Sequence, residues 1–235
     1  MPWCSHTSST TPPGPRCFGA HAAFAERAAR PGADLSPSRA ARYPSEVSPF
    51  AALADPADPE SWADLRRLVG EGGIAALGGV LTPPDGWETV GSVPGVQLVD
   101  TSPRAEPAPA AVRLGPRDVP EILALIELTE PGPFLPRTVE LGTDLGIRHR
   151  GRLIAMAGER LRPPGWTEIS AVCTHPDHRG GGLATPLVRA VAAGIRERGD
   201  VPFGPCARQH RCQLLLIFRS LYATATGRSV SKRYR

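Results

Sequence analysis

The segment from Thr167 to Arg198 restricts the fold more than any other part of the sequence. An apolar stretch that ends at Thr174 predicts a strand, which leads through a proline-containing turn into three consecutive glycines, Gly180–Gly182. The following residues predict a helix, because large apolar side chains recur every four positions: Leu183, Leu187, Val191 and Ile195. The predicted order is therefore strand, glycine-rich loop and helix.

Such a loop suits a ligand that carries phosphate. Glycine lets the backbone approach a bulky anion, and the first N–H groups of a helix favour phosphate oxygens. Arg179 directly precedes the glycines and would add a positive charge. The Lys-Ser/Thr pair of a P-loop is absent, and the acidic strand end of a dinucleotide fold does not follow. The remaining alternative is a turn that only joins packed elements.

The surrounding sequence alternates short strand patterns with helix patterns. In the C-terminal half, strands are predicted at 111–114, 144–149, 153–161, 167–174 and 201–203, with a helix from Pro116. In the N-terminal half, a helix is predicted at 58–69 and strands at 74–81 and 96–99. The predicted fold class is α/β (an α+β mixed sheet with helices on both faces), preceded by a smaller N-terminal α/β region.

Changes in composition divide the chain into five regions. The first 16 residues are rich in Ser, Thr and Pro and are predicted to be disordered, and residues 101–110 have the composition of a linker. The N-terminal α/β region would cover 17–100, the domain with the glycine-rich loop 111–204, and an atypical basic tail 205–235. After Val201 the chain has seven Arg or Lys residues and no Asp or Glu. Because this tail has no known reading motif, no specific nucleic-acid partner is expected.

Composition also restricts the compartment and the cofactors. No run of about 18 apolar residues is present, so no membrane span is predicted. Five cysteines without a C-x-x-C pair, and no secretory signal, favour reduced thiols in the cytoplasm. Cys206, His210 and Cys212 lack a fourth ligand and a common zinc spacing, so no metal is expected.

The pattern Arg179-x-x-Gly182-x-Ala184 resembles the R/Q-x-x-G-x-G/A loop of the GNAT family of N-acetyltransferases, and the resemblance covers about 116–203. It implies acetyl-CoA as co-substrate, with the pantetheine arm on backbone groups of Val172, Cys173 and Thr174. The pyrophosphate would lie on the loop residues Gly180, Gly181, Gly182, Leu183, Ala184 and Thr185.

The resemblance also implies direct transfer of the acetyl group to a primary amine of a small molecule or a protein. The amine must lose a proton, and Glu168, on the strand beside the expected cofactor cleft, is the first candidate for the base. If its side chain faces the cleft, apolar neighbours would raise its pKa. Glu159 on the neighbouring strand is the second candidate. For each, an ordinary solvent-facing carboxylate is the alternative.

Beyond Phe203 the sequence departs from the family. Members usually continue with an N-x-x-A-x-x-L-Y-x-x-x-G-F segment, in which the Tyr protonates the departing thiolate, but this chain contains no Asn. Leu221-Tyr222 followed by Gly227 echoes that segment with one extra residue, which makes Tyr222 a third catalytic candidate. A shifted reading frame is one hypothesis for the departure. A non-catalytic CoA-binding or regulatory protein, and a protein that binds nucleic acid through its basic tail, are the alternative functions.

Overall fold

A mixed eight-stranded sheet organises the chain. The structure, a computed structural model, describes residues 39–78, 82–100, 108, 110–207 and 221–234. The strands are β1 (Ala40–Arg42), β2 (Ala51–Leu53), β3 (Ile74–Gly78), β4 (Trp87–Asp100), β5 (Val112–Leu114), β6 (Asp144–His149), β7 (Arg152–Glu159), β8 (Trp166–Thr174), β9 (Val201–Ala207) and β10 (Leu221–Tyr234). The helices are α1 (Pro59–Val69), α2 (Val119–Thr129) and α3 (Ala184–Glu197). The large sheet has the order β3-β10-β4-β9-β8-β7-β6-β5, and β1 and β2 form a separate pair.

Helix α3 covers one face of the sheet. Its predicted apolar repeat is confirmed, because Leu187, Val191 and Ile195 are all buried against strand residues such as Ala155 and Ile169. Burying side chains of this size contributes about 1.5–3 kcal/mol each. The packing fixes the helix on the sheet, and therefore also fixes the glycine-rich loop that precedes it.

Helix α2 covers the opposite face of the same sheet. Ile122 and Leu125 pack there with Met156 of β7 and Cys173 of β8. A 3₁₀ turn, Pro116–Asp118, precedes the helix, so the helix proper begins three residues after the predicted start. Helices on both faces of a mixed sheet confirm the predicted fold class.

The N-terminal half joins this sheet through two of its strands. β4 pairs antiparallel with β9, where Val99 is opposite Phe203, and β3 pairs with β10. β4 is much longer than the predicted strand at 96–99, because its backbone is paired with β10 from Trp87 onward. Asp58 is the N-cap residue of helix α1, and its carboxylate accepts a hydrogen bond from the backbone N–H of Glu60 at 3.0 Å.

Several predictions concern residues outside the described part of the chain. These include the N-terminal segment predicted to be disordered, most of the linker, and His210 and Cys212 of the rejected zinc pattern. Within the region predicted as a basic tail, residues 221–234 form β10. The helices among the described residues include none that is long and apolar enough to cross a membrane.

Candidate active site

The candidate site lies where two neighbouring parallel strands separate. β8 and β9 pair only between residues 166–168 and 201–203. On its other edge, β9 pairs with β4 from Phe203 to Ala207. The edge of β8 that faces β9 therefore has no strand partner after Glu168 among the described residues. Main-chain groups along such an edge can hydrogen-bond an extended ligand.

A β-bulge in β8 coincides with this separation. Across the β7–β8 pair, Met156 is opposite Cys173 and Gly158 is opposite Ser170, so β8 contains one more residue than β7 over this stretch. Ala171 lies within the bulge and has a φ of 52°, in the left-handed region that non-glycine residues rarely adopt. A bulge bends its strand and increases the local twist, and this one follows shortly after Glu168, the last residue of β8 that pairs with β9.

The glycine-rich loop follows the end of β8 and leads into α3. Gly180 and Gly182 have φ values of 82° and 72°, and a Cβ added at either would meet nothing within 4 Å. The N-terminal residue Leu183 provides no side-chain cap, and the first turn of α3 contains no acidic residue. This part of the described chain thus offers helix N–H groups and open space, which suit an anionic group.

Cys173 lies near the end of β8, and Arg179 of the following loop contacts that end. The Nε–H of Arg179 donates a hydrogen bond to the Thr174 carbonyl oxygen at 3.2 Å, which places the guanidinium stem beside the strand end. Cys173 is buried in the core under α2, and burial raises the pKa of its thiol to about 11. The thiol therefore stays protonated at neutral pH, which leaves only the backbone of Cys173 for ligand contacts.

Glu168 lies on β8 just before the bulge and is completely buried rather than exposed to solvent. Both carboxylate oxygens accept hydrogen bonds from Arg160, from Nε at 3.2 Å and from Nη2 at 2.5 Å. The guanidinium carbon of Arg160 lies 4.8 Å from the ring centroid of Phe50. The carboxylate thus belongs to a buried, bidentate ion pair. Its role as the base stays a prediction.

Glu159, on β7, is also buried and also paired. Its carboxylate accepts hydrogen bonds from Arg162, from Arg198 at 2.8 Å and from the backbone N–H of Thr143 at 3.3 Å. Arg198 is the C-terminal cap residue of α3, so the pair ties the end of that helix to the sheet. Neither predicted base is an ordinary solvent-facing carboxylate.

Tyr222 belongs to β10, where its backbone is opposite Val99 of β4. β4 separates β10 from β9 in the sheet, so β10 is not a direct neighbour of the separated strands. The position of the Tyr222 side chain lies outside the described part of the structure. Its role as a proton donor stays a prediction.

The sequence reasoning missed Asp144, the first residue of β6. Its carboxyl is 1% exposed, and neither oxygen has a hydrogen-bond partner among the described residues. Burial, and secondly the charge of Glu159, raise the pKa of Asp144 to about 7. Gly158 on β7 is opposite Asp144 in the register. An isolated glycine inside a strand pattern is the sequence signal that indicates such a close approach.

Comparisons with known proteins agree with this geometry. The family model described as FR47-like protein matches residues 144–210. One solved structure, from Novosphingobium aromaticivorans, is assigned to the GNAT family of acetyltransferases and is 33% identical to this chain. The match covers 86% of this chain and 91% of that chain, with a TM-score of 0.75. A GCN5-related N-acetyltransferase from Kribbella flavida shares the fold at 18% identity and a TM-score of 0.59, covering 90% of this chain and 93% of that one. Among curated proteins no match was found.

This fold, together with the match to a GNAT acetyltransferase structure, defines an acyltransferase. With the extensive match at 33% identity, the chain belongs to the GNAT family of acetyltransferases.

Proposed function

We propose that the protein transfers an acetyl group from acetyl-CoA to a primary amine. The observation that carries this proposal is the unpaired edge of β8 beyond Glu168, which leads directly into the open glycine-rich loop and the uncapped start of α3. An extended ligand with a phosphate group at one end fits such an edge and loop together. The five cysteines without a C-x-x-C pair support the reducing cytoplasm as the compartment.

We assign cofactor binding to residues of the elements that surround the unpaired edge of β8. The backbone of Val172, Cys173 and Thr174 would hold the pantetheine arm, although the Thr174 carbonyl already accepts one hydrogen bond from Arg179. A carbonyl oxygen has two lone pairs, so it can accept a second bond. The loop from Gly180 to Thr185 would hold the pyrophosphate through its N–H groups.

Bound acetyl-CoA would supply a thioester whose carbonyl carbon accepts the amine. The protein's own contribution is to align that carbonyl with the amine nitrogen and to remove a proton from the amine. The bulge at Ala171 lies where β8 and β9 stop pairing, which is where both reactants would meet. The acceptor is an amine of a small molecule or a protein.

Calorimetric titration with acetyl-CoA tests the binding half of the proposal. Gly182→Glu places a carboxylate beside the expected pyrophosphate and should weaken binding about tenfold or more, roughly 1.4 kcal/mol. Gly199→Glu is the matched control, because Gly199 also has a positive φ, of 84°, and open surroundings, but follows the opposite end of α3. Equal affinity of the Gly182 variant and the wild type would refute the loop assignment.

Release of free thiol, measured with a panel of primary amines, tests the transfer half. The panel contains free lysine, a polyamine and a peptide with an N-terminal alanine. Thiol release that depends on one of these amines supports the proposal. Binding of acetyl-CoA without release for any of them would favour the non-catalytic CoA-binding alternative.

A further inference from the structure

The Asp144 carboxyl is a buried polar group that nothing described in the fold satisfies. It is 1% exposed, and both oxygens lack a hydrogen-bond partner among the described residues. An unsatisfied buried polar group destabilises a protein by about 1–3 kcal/mol. Such groups are rare in native structures, and each needs an explanation such as strain, a bound water or ion, or a catalytic role.

The carboxyl lies one strand away from the bulge. A Cβ added to Gly158 would be 1.7 Å from Asp144 Oδ1, so the carboxyl occupies the space directly above the Gly158 backbone. Gly158 is in turn opposite Ser170 of β8, at the start of the bulge. Because neighbouring strands are about 4.8 Å apart, the carboxyl is about one strand spacing from β8.

The same geometry decides which face of the sheet the carboxyl occupies. Along β7, Ala155 and Ala157 pack with α3, whereas Met156 packs with α2. Gly158 follows this alternation, so the carboxyl above it lies on the α2 face. Gly158 is opposite Ser170, so this part of the α2 face adjoins the strand whose other edge is unpaired beyond Glu168.

The other buried carboxylates near the site already have partners. Both carboxylate oxygens of Glu168 accept hydrogen bonds from Arg160. The carboxylate oxygens of Glu159 accept hydrogen bonds from Arg162 and Arg198. Asp144 alone among these three has two unpaired oxygens.

Among the described residues, the charged group that adds to the effect of burial on the pKa of Asp144 is Glu159 on the adjacent β7. The two arginines that neutralise Glu159 are Arg162 and Arg198. On the other side, β5 is paired with β6 and places the apolar Leu114 opposite Asp144. With its pKa near 7, the carboxyl can both accept and release a proton at neutral pH.

We infer that Asp144 is the group that takes the proton from the ammonium of the acceptor, and that this ammonium is its missing partner. The inference rests on the proposed function. In the step, an N–H bond of the ammonium breaks and the proton moves to an Asp144 oxygen, which frees the nitrogen lone pair. The nitrogen then bonds to the thioester carbonyl carbon and the carbon–sulfur bond breaks. The sulfur leaves with the electron pair, takes the second amine proton and becomes the CoA thiol. Asp144 releases its proton to solvent.

Infrared spectroscopy tests the inference without turnover. The carbonyl band of a protonated carboxylic acid should disappear with a midpoint near pH 7 in the wild type, and this band should be absent in Asp144→Asn. Asp85→Asn, which alters an exposed carboxylate in a turn, is the control that keeps the band. If no band that depends on Asp144 persists above pH 5, the inference is overturned. Asp144→Ser provides a second variant for assigning the band.

Kinetics with two nucleophiles test the catalytic role. The first is the best amine of the panel, which is protonated at neutral pH, and the second is hydroxylamine, which is largely unprotonated there. Loss of a general base should lower kcat/KM for the amine about 100-fold or more in Asp144→Asn. The value for hydroxylamine should change less than about threefold, and calorimetric affinity for acetyl-CoA should not change. An equal loss with both nucleophiles, or no loss with the amine, contradicts the inference.

The two experiments separate this inference from the proposed function. Failure of acetyl-CoA to bind, or of any panel amine to release thiol, counts against the proposed function, while the infrared titration still reports on Asp144. Normal transfer by Asp144→Asn would leave the proposed function intact and remove Asp144 from it.

Discussion

Replacing Asp144 with Asn should change how the free energy of unfolding depends on pH. In the folded protein the carboxyl keeps its proton up to about pH 7, whereas an unperturbed aspartate loses it at 3.8. Between these values the folded state binds more protons than the unfolded state. The contribution of Asp144 to stability is therefore fully present below the unfolded pKa, and is lost as the pH rises through the folded pKa.

The size of the effect follows from the difference between the two pKa values. The shift from 3.8 to about 7 is roughly three units, and each unit corresponds to about 1.36 kcal/mol, which gives about 4 kcal/mol in total. Asn has the shape of the protonated acid but does not ionise. Asp144→Asn should therefore resemble the wild type at pH 4 and exceed it by about 4 kcal/mol at pH 8, or about 10 °C in melting temperature.

Urea unfolding at pH 4.5, 5.5, 6.5, 7.5 and 8.5 measures this difference directly. The stability difference between variant and wild type should grow by about 1.4 kcal/mol per pH unit and level off above pH 7. Asp85→Asn removes a charge from an exposed turn and serves as the control, which should show no such growth. A difference that is constant across the pH range would refute the reasoning, because it would mean that Asp144 ionises equally in both states.

Three further outcomes follow from the described contacts. Cys173 should resist alkylation at pH 8 until the protein unfolds, because its thiol is buried and its pKa is about 11; mass spectrometry of its peptide checks this, and rapid native labelling would contradict it. Gly158→Ala should destabilise the fold by about 1–3 kcal/mol, because the new Cβ would be 1.7 Å from Asp144 Oδ1, and adding Asp144→Ala should relieve most of the loss in a double-mutant cycle. Arg160→Met should reduce the free energy of unfolding by about 3–5 kcal/mol, because it leaves Glu168 charged and unpaired in the interior. In urea titrations, the double variant with Glu168→Leu should recover most of this lost stability. No recovery would argue against the ion pair between Arg160 and Glu168.

The sequence alone was sufficient wherever the signal is local. The four-residue spacing of Leu187, Val191 and Ile195 predicts the buried side of α3, because a helix places such residues on one face whatever surrounds it. Gly180 and Gly182 do adopt the positive φ angles that a glycine-rich loop permits. The match to a family loop pattern also identified the fold, since that pattern depends on neighbouring residues only.

Only the tertiary structure shows which buried carboxylates are paired. Glu168 was the natural candidate from its position, yet its partner Arg160 lies across a strand pair and has no signal in the sequence. The neighbours of Asp144 are set by the registers of β6 with β5 and β7, and a bulge shifts the register of β7 with β8. Because a shift of one residue moves every side chain to the other face of a sheet, sequence alone could predict the glycine-rich loop but not which buried carboxylates have partners.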